Sequence, residues 1–536
     1  MNFDSTKYNY SSHRNVVYAR NVVATSNPLA AEAGLDVMRR GGNAVDAAVA
    51  TAAALTVVEP SANGIGGDAF AIVWDGEKLH GLNASGYAPS ALNADVLRKH
   101  GMSEMPAHTW EAVTVPGAPS AWAALSGRFG ALPFVDLLKP AVEYARYGYP
   151  IPVHVGEIWR HAYNHFKEVL KGGMYAAWFD AFAPGGKCPS PGSIWHNTDM
   201  AETLERLAET RCEDFYRGEI ADDIVAFSRK HGGYMREPDL AEYAPEWVMP
   251  ISIDYRGYDV HEIPPNGQGL AALMALNILK GYELDQNRET ERNYHLQIEA
   301  MKLAFADAEA YVADMRFMDV GLDTLLSDSY TKKRRALINE RALLPSRGAP
   351  QRGGTVYLAT ADAQGNMVSY IQSNYMGFGS GLVVPGRGIS LHNRGNNFTL
   401  EEGHPNCLAP RKKPYHTIIP GFLCKSGEPV GPFGVMGGFM QPQAHVQVIS
   451  SAIDFRLNPQ EILDAPRWRW QSGKSVFLER GVDPEIVHQL SERGHEVTLL
   501  QDDVTSMGRG QVIWRMPNGA YCAGTEPRAD GAIACF

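Results

Sequence analysis

The sequence predicts a mixed α/β protein, and three stretches predict it: an alanine-rich helix pair between Asn27 and Val58, a glycine loop feeding the apolar run Ala69–Trp74, and a hairpin pattern between Thr355 and Gln372. With 536 residues the chain exceeds the usual size of one hydrophobic core, so several packed units or one large layered domain are expected.

The first helix is expected over Asn27–Gly42 (NPLAAEAGLDVMRRGG), where Ser26 or Asn27 can cap it, Pro28 suits its first turn, and two glycines follow Arg39 and Arg40. Asn43–Val58 follows at once; its alanines with Val and Leu are the composition of a helix packed between other layers rather than facing water. In PSANGIGGDAFAIVWDG, Asn63, Gly64, Gly66 and Gly67 form a loop before the strand Ala69–Trp74, and Asp75-Gly76 marks a hairpin turn. A phosphate cradle is disfavoured there, because no helix follows and no Lys-Ser/Thr closes the loop. From Pro116 to Leu344 the pattern is mainly helical, most clearly over His295–Asp314. Arg335–Gly354 turns basic and rich in Gly and Pro, as an exposed, mobile segment would. Thr355–Ala361 then reads as a strand that turns through Asp362–Asn366 and returns as Met367–Gln372. Helical patterns recur near His445–Ile453 and Pro484–Arg493, so the last third mixes helix and strand.

Composition excludes several classes. Hydrophobic residues make up 45% and charged residues 20%, which argues against disorder or a fibrous architecture. The net charge of −11 is spread along the chain without a basic block, so a nucleic-acid partner is not expected. The most apolar stretch, Ala44–Val58, is too short to cross a bilayer and contains Asp46, and Met1–Arg20 shows no secretion signal. Six scattered cysteines without a CxxC pair suggest free thiols in a reducing compartment, and a cytoplasmic protein without a membrane partner is expected.

The polar loop ending in Gly353-Gly354-Thr355 supports two readings. A β-branched residue after a diglycine is ordinary strand-start chemistry. Alternatively, the Gly354–Thr355 bond is cut, and the freed α-amine, with an unperturbed pKa of about 7.7 to 8.0, accepts the hydroxyl proton during attack on an amide. Upstream glycines would let the scissile peptide adopt the strained geometry of an N-to-O acyl shift.

Five runs carry a resemblance: RRGGNAVDAAVATAAALTVVEPSANGIGGDAFAIVW (Arg39–Trp74), VTVPGAPSAWAAL (Val113–Leu125), DYRGYDVHEIPPNGQG (Asp254–Gly269), TVYLATADAQGNMVSYIQSNYMGFGSG (Thr355–Gly381) and VMGGFMQPQAHVQVISSAIDF (Val435–Phe455). Together, and in this order, they resemble the gamma-glutamyltransferase family. The resemblance implies an αββα four-layer sandwich of the N-terminal-nucleophile hydrolase type, made as a precursor and cut into a large chain, 1–354, and a small chain, 355–536. Both chains are expected to pack into one unit, as a heterodimer or a dimer of heterodimers, with no metal and no cofactor. Carried over by position, Thr355 is the nucleophile, and Ser373 stands where the family has a threonine that contacts it. Gly437 and Gly438 match the glycine pair whose N–H groups form the oxyanion hole, where fixed donors stabilise charge that develops in the transition state.

The pocket departs from the transpeptidases. Ser85 falls where the family has a carboxylate-binding arginine. Asn393 matches an asparagine of the family, but Arg394 and Asn397 fall where acidic or amide residues receive the substrate ammonium. An arginine repels an ammonium group, at about 4 kcal/mol for like charges 4 Å apart at an effective dielectric near 20, and suits a carboxylate. His416 and Thr417 replace a serine pair, and Tyr375 replaces an asparagine. Arg394 reads equally as a structural salt bridge, and His416 as a hydrogen-bonded core histidine. These changes are similar to those of the acylase-like branch. The expected function is an autoprocessing amidohydrolase acting on a small carboxylate-bearing amide, of glutaryl-amide acylase or oxamate amidohydrolase type. The alternatives are a true gamma-glutamyltransferase or glutathione hydrolase, and a noncatalytic binding protein on the same fold.

Overall fold

A computed structural model describes residues 14–345, 354–501 and 505–536. The first helix, α1 (Pro28–Arg39), is capped by the Asn27 side chain, and α2 (Ala44–Val58) by a box in which Asn43 and Asp46 satisfy each other's backbone N–H groups. Every residue of α2 is buried. The alanines permit this, as does Gly34 of α1, where a Cβ would come within 2.2 Å of Thr51 Oγ1. In the interior Asp46 Oδ2 accepts from the backbone N–H groups of Asn43 and Ala131, at 3.0 and 2.9 Å.

Fourteen strands build two antiparallel sheets. In chain order they are β1 (Val17–Ala19), β2 (Val22–Thr25), β3 (Asp68–Trp74), β4 (Leu79–Ala84), β5 (Glu246–Val248), β6 (Ile251–Tyr255), β7 (Tyr258–Glu262), β8 (Gly354–Ala361), β9 (Met367–Tyr375), β10 (Gly421–Lys425), β11 (Glu428–Met436), β12 (Arg509–Arg515), β13 (Tyr521–Thr525) and β14 (Ala532–Cys535). The first sheet runs β14-β2-β8-β9-β3-β4-β5, and the second β1-β13-β12-β11-β10-β7-β6. They face each other across Tyr357 and Ser369, whose hydroxyls lie 2.8 Å apart, with Ser369 Oγ donating onward to Phe433 O at 3.4 Å. Helices α1 and α2 cover the outer face of the first sheet. Three others, α3 (Gly269–Leu279), α4 (Glu291–Tyr311) and α5 (Met440–Ile453), lie together on the second. The result is the four-layer αββα sandwich of N-terminal-nucleophile hydrolases.

The region 116–344 is mainly helical as expected, apart from a short antiparallel pairing of Tyr149–Pro150 with Ile194–Trp195 and from β5, β6 and β7, which extend both sheets. Buried Tyr255, Tyr258, Val260 and Glu262 alternate with more exposed neighbours about a turn at Arg256-Gly257. That short period-two pattern is outweighed in the sequence by the long helical runs on either side. Part of the segment Arg335–Gly354 that was expected to be mobile, 346–353, lies outside the described residues. The described part, 335–345, is mostly exposed yet tethered. His295 Nε2 of α4 lies 2.8 Å from Asn339 O, Glu299 accepts from Leu343 N at 2.9 Å, and Lys302 Nζ donates to Leu343 O at 3.2 Å. From beyond residue 354, Arg493 O accepts from Ala342 N at 2.9 Å and the Arg493 guanidinium pairs with Glu340. Among the described residues no helix is long and apolar enough to cross a membrane.

Candidate active site

Strand pairing brings three distant residues to one spot. Ser373 of β9 stands opposite Asp68 of β3, and Gly354 opposite Tyr375, with a register irregularity between Gly354 and Val356. Thr355 sits at that irregularity, the kind of bulge that re-aims a side chain. Its Oγ1 lies 3.1 Å from Ser373 Oγ, and both residues are buried. The glycine loop supports this corner from below: Gly66 O accepts from His392 N at 3.0 Å, and Gly67 O from Gly117 N and Ala118 N at 2.9 Å.

Arg394 opens a short 3₁₀ turn over 394–397 and points its guanidinium at the same hydroxyl. Nη2 donates to Ser373 Oγ at 3.2 Å and Nη1 to Thr417 Oγ1 at 2.7 Å, while the guanidinium lies over the Tyr375 ring, 4.5 Å from its centroid. Tyr375 has a positive φ of 72°, and its backbone N–H donates to Ser373 Oγ at 2.8 Å. The Arg394 side chain is fully buried, and its Nε has no hydrogen-bond partner among the described residues. Burial draws its pKa down to about 10, against the opposing pull of Asp68 and Tyr375, so it stays a cation at neutral pH. Burial pushes the Tyr375 phenol up to about 12, with Arg394 pulling the other way, and keeps it neutral.

Asp68 is the anionic centre of the cluster. Its Oδ2 lies 2.9 Å from His416 Nε2, 3.2 Å from His392 Nδ1 and 3.9 Å from Arg394 Nε. Gly86 N donates to Oδ1 at 3.3 Å. Burial alone would raise its pKa, but the two histidines outweigh that and hold the carboxyl well below its usual range. His416 moves the other way: burial and the Arg394 cation depress it to about 3 despite Asp68. Its Nδ1 accepts from Ile418 N at 3.3 Å, which leaves Nε2–H to donate to the carboxylate. His416 is thus a neutral, hydrogen-bonded core histidine, and Arg394 belongs to a buried ionic cluster.

Gly437 and Gly438 make the turn from β11 into α5, with φ of 140° and 59°. Glycine alone adopts such values without strain. Their carbonyls accept from Met440 N and Gln441 N, at 3.0 and 3.2 Å, which starts the helix. Gln268 ties this turn to the arginine side of the cluster: its Nε2 donates to Thr417 O at 2.6 Å and to Gly438 O at 2.9 Å.

The structure therefore gathers Thr355, Ser373, Tyr375, Arg394, His416 and Thr417 into one contiguous network, and joins Gly438 to it through Gln268. The remaining predicted substrate positions have their side chains engaged in scaffolding. Ser85 Oγ bonds to Asn83 and Asn266 at 2.7 and 3.3 Å, and Asn266 O in turn holds His416 N at 2.9 Å. Asn393 accepts from Met376 N and donates to Ala107 O, at 3.1 and 3.0 Å, and Asn397 donates to Tyr415 O at 3.0 Å. Sequence reasoning missed Asp68, His392 and Gln268. A carboxylate heading an otherwise apolar strand was the available signal for Asp68; Gln268 sat unremarked within the run Asp254–Gly269, and His392 stands directly before Asn393 and Arg394.

Comparison with known proteins agrees with this architecture. The family model for gamma-glutamyltranspeptidase matches residues 30–536. The chain is 36% identical over 529 residues to a glutathione hydrolase-like YwrD proenzyme of Bacillus subtilis, covering 97% of this chain and 99% of that one. It is 33% identical over 542 residues to an oxamate amidohydrolase proenzyme of Klebsiella pneumoniae, covering 98% and 100%. The crystal structure of a cephalosporin acylase from Bacillus halodurans superposes with a TM-score of 0.95 at 55% identity, over 100% of this chain and 99% of that one. With the sandwich, the strand-borne threonine and a family match spanning nearly its whole length, the chain belongs to the gamma-glutamyltranspeptidase family of N-terminal-nucleophile hydrolases.

Proposed function

We propose that this protein is an autoprocessing amidohydrolase in which Thr355 cuts the chain and then hydrolyses a small carboxylate-bearing amide. The observation that carries the reading is the buried Thr355 hydroxyl 3.1 Å from Ser373 Oγ, with the Arg394 cation donating to the same serine at 3.2 Å. In processing, Thr355 Oγ1 attacks the Gly354 carbonyl carbon, the C–N bond breaks, and the resulting ester is hydrolysed by water. Residues 1–354 and 355–536 then remain together as a heterodimer, and Thr355 gains a free α-amine. In turnover the hydroxyl attacks the substrate carbonyl while its proton passes to that amine and on to the leaving nitrogen. Water then hydrolyses the acyl-threonine ester. The N–H groups of Gly437 and Gly438 receive the developing oxyanion.

Arg394 favours acyl groups that carry a second carboxylate. Two of its five N–H donors are taken by Thr417 and Ser373, which leaves donors for a substrate anion. Oxamate, the substrate named for the Klebsiella pneumoniae relative, is a carboxylate-bearing amide of this kind. Six cysteines without a disulfide support a cytoplasmic location.

The test is direct. Purified wild type should resolve on a denaturing gel into two pieces, the smaller beginning Thr-Val-Tyr, whereas Thr355→Ala should stay one chain of 58.7 kDa. A folded wild-type protein that stays intact would remove the mechanism. A processed enzyme that transfers gamma-glutamyl groups to glycylglycine more readily than it hydrolyses glutaryl amides would replace the substrate reading.

A further inference from the structure

We infer that Asp68 is a positioning residue for substrate selection: from the centre of a buried Asp68–His392–His416 cluster it aims the Arg394 fork between Ser373 and Thr417. This rests on the proposed preference for carboxylate-bearing amides and deepens it. The argument starts from the sheet. Asp68 is the first residue of β3 and the register partner of Ser373, so backbone pairing sets the distance between the carboxylate and the hydroxyl beside Thr355. Asp68, His392, Arg394 and His416 are all fully buried, where an unpartnered charge would be costly and each group must find its complement inside the cluster.

The carboxylate is itself immobilised. His416 Nε2 at 2.9 Å, His392 Nδ1 at 3.2 Å and Gly86 N at 3.3 Å surround it from three separate chain segments. His416 is fixed in turn by its backbone bonds to Asn266 and Gln268, each 2.9 Å long, and His392 Nε2 lies 2.8 Å from Thr114 O. Arg394 faces this anion through Nε at 3.9 Å, without a direct hydrogen bond. Its other face lies on Tyr375, and its two terminal nitrogens reach separate hydroxyls. The guanidinium therefore meets an anion along one edge, a ring on one face and a hydroxyl at each tip. Among the described residues, the Asp68 carboxylate is the one ionic partner of this guanidinium, so it selects where the cation rests. Removing that charge while keeping the shape should let the fork swing from the position in which it reads a substrate anion.

The experiment uses the matured enzyme and two anilides of equal acyl length, glutaryl p-nitroanilide and the uncharged pentanoyl p-nitroanilide. Asp68→Asn, isosteric and still able to accept from His416, is expected to lower the glutaryl-over-pentanoyl ratio of kcat/KM at least tenfold. The loss should appear as a raised KM for the glutaryl amide, with kcat on the pentanoyl amide within threefold of wild type. A purely structural role would depress both substrates together. Should Asp68→Asn fail to fold or mature, His416→Leu, which keeps the carboxylate but removes its 2.9 Å donor, is read in the same way and should lower the ratio at least threefold. A wild type that discriminates, with the readable variant leaving that ratio unchanged or reducing both rates equally, overturns this inference alone. A wild type that does not discriminate between the anilides overturns the substrate reading and this inference with it.

Discussion

Replacing Arg394 by glutamine removes a buried cation at the proposed acyl pocket while leaving an amide that can still reach one of the two hydroxyls. Two magnitudes follow from the structure. For substrate, a charge-assisted hydrogen bond to a carboxylate contributes about 1.5 to 3 kcal/mol, which converts to roughly 10- to 150-fold in kcat/KM. For stability, removing one partner of a well-formed buried ion pair costs about 3 to 5 kcal/mol. Here the Arg394 Nε to Asp68 separation is 3.9 Å and two histidines continue to hold the carboxylate, so the low end, about 3 kcal/mol, is expected. The assay compares glutaryl and pentanoyl anilides on matured protein, alongside urea unfolding of the same samples. Hydrolysis of the glutaryl amide should fall by the factor above while the pentanoyl amide changes little. Equal loss on both amides, or an unchanged ratio, would refute the argument that Arg394 reads a substrate carboxylate.

Three further outcomes are expected. Ser373→Ala removes the hydroxyl 3.1 Å from Thr355 Oγ1 and should slow both self-cleavage and turnover roughly 5- to 30-fold, about 1 to 2 kcal/mol, measured by gel time course and initial rates. His416→Gln should flatten the acid side of the stability profile. In the folded protein His416 titrates near 3, so below the ordinary value of 6.5 the unfolded chain binds a proton that the folded one refuses, and stability falls as pH drops. Between pH 7 and pH 5 wild type should therefore lose about 2 kcal/mol more than the variant in urea melts, since each proton contributes about 1.4 kcal/mol per pH unit. Glu309, raised to about 7 by burial, works in the opposite sense but is common to both proteins and cancels in the difference. Lys302→Met strands the Glu299 carboxylate that the ammonium holds at 2.7 Å in the interior, and should cost about 3 to 5 kcal/mol of unfolding free energy in the same melts.

Much of the frame was legible because its signals are local. Asn27 and Asn43 cap α1 and α2, the alanines make α2 fit between layers, and Asp362–Asn366 turns the β8–β9 hairpin. The position of the proposed nucleophile was legible only through the chain-long resemblance, since a threonine after two glycines is ordinary strand chemistry. Asp68 was not legible as a hub, because its meaning lies in His416, 348 residues away. Ser85 and Asn393 show the converse difficulty. Position in a motif marked them as substrate contacts, whereas their hydroxyl and amide groups are consumed by neighbouring loops, which nothing short of the three-dimensional arrangement of Asn266, Met376 and Ala107 could reveal. The β6–β7 hairpin was hidden for a third reason, its brevity between long helices.

The strand order has a consequence for how the molecule would come apart. Reading across the first sheet, β14, β8 and β9 come from beyond residue 353 while β2, β3, β4 and β5 come from before it; in the second, β1, β6 and β7 flank four strands from the later part. Once the bond before Thr355 is broken, no plane through either sheet separates the two pieces without severing backbone ladders. Melting then becomes a dissociation. The midpoint of the cut protein would rise with its concentration, whereas that of Thr355→Ala would not. Reassembly would require two partial sheets to find each other and interdigitate, so a protein that folds as one chain would be poorly placed to refold as two.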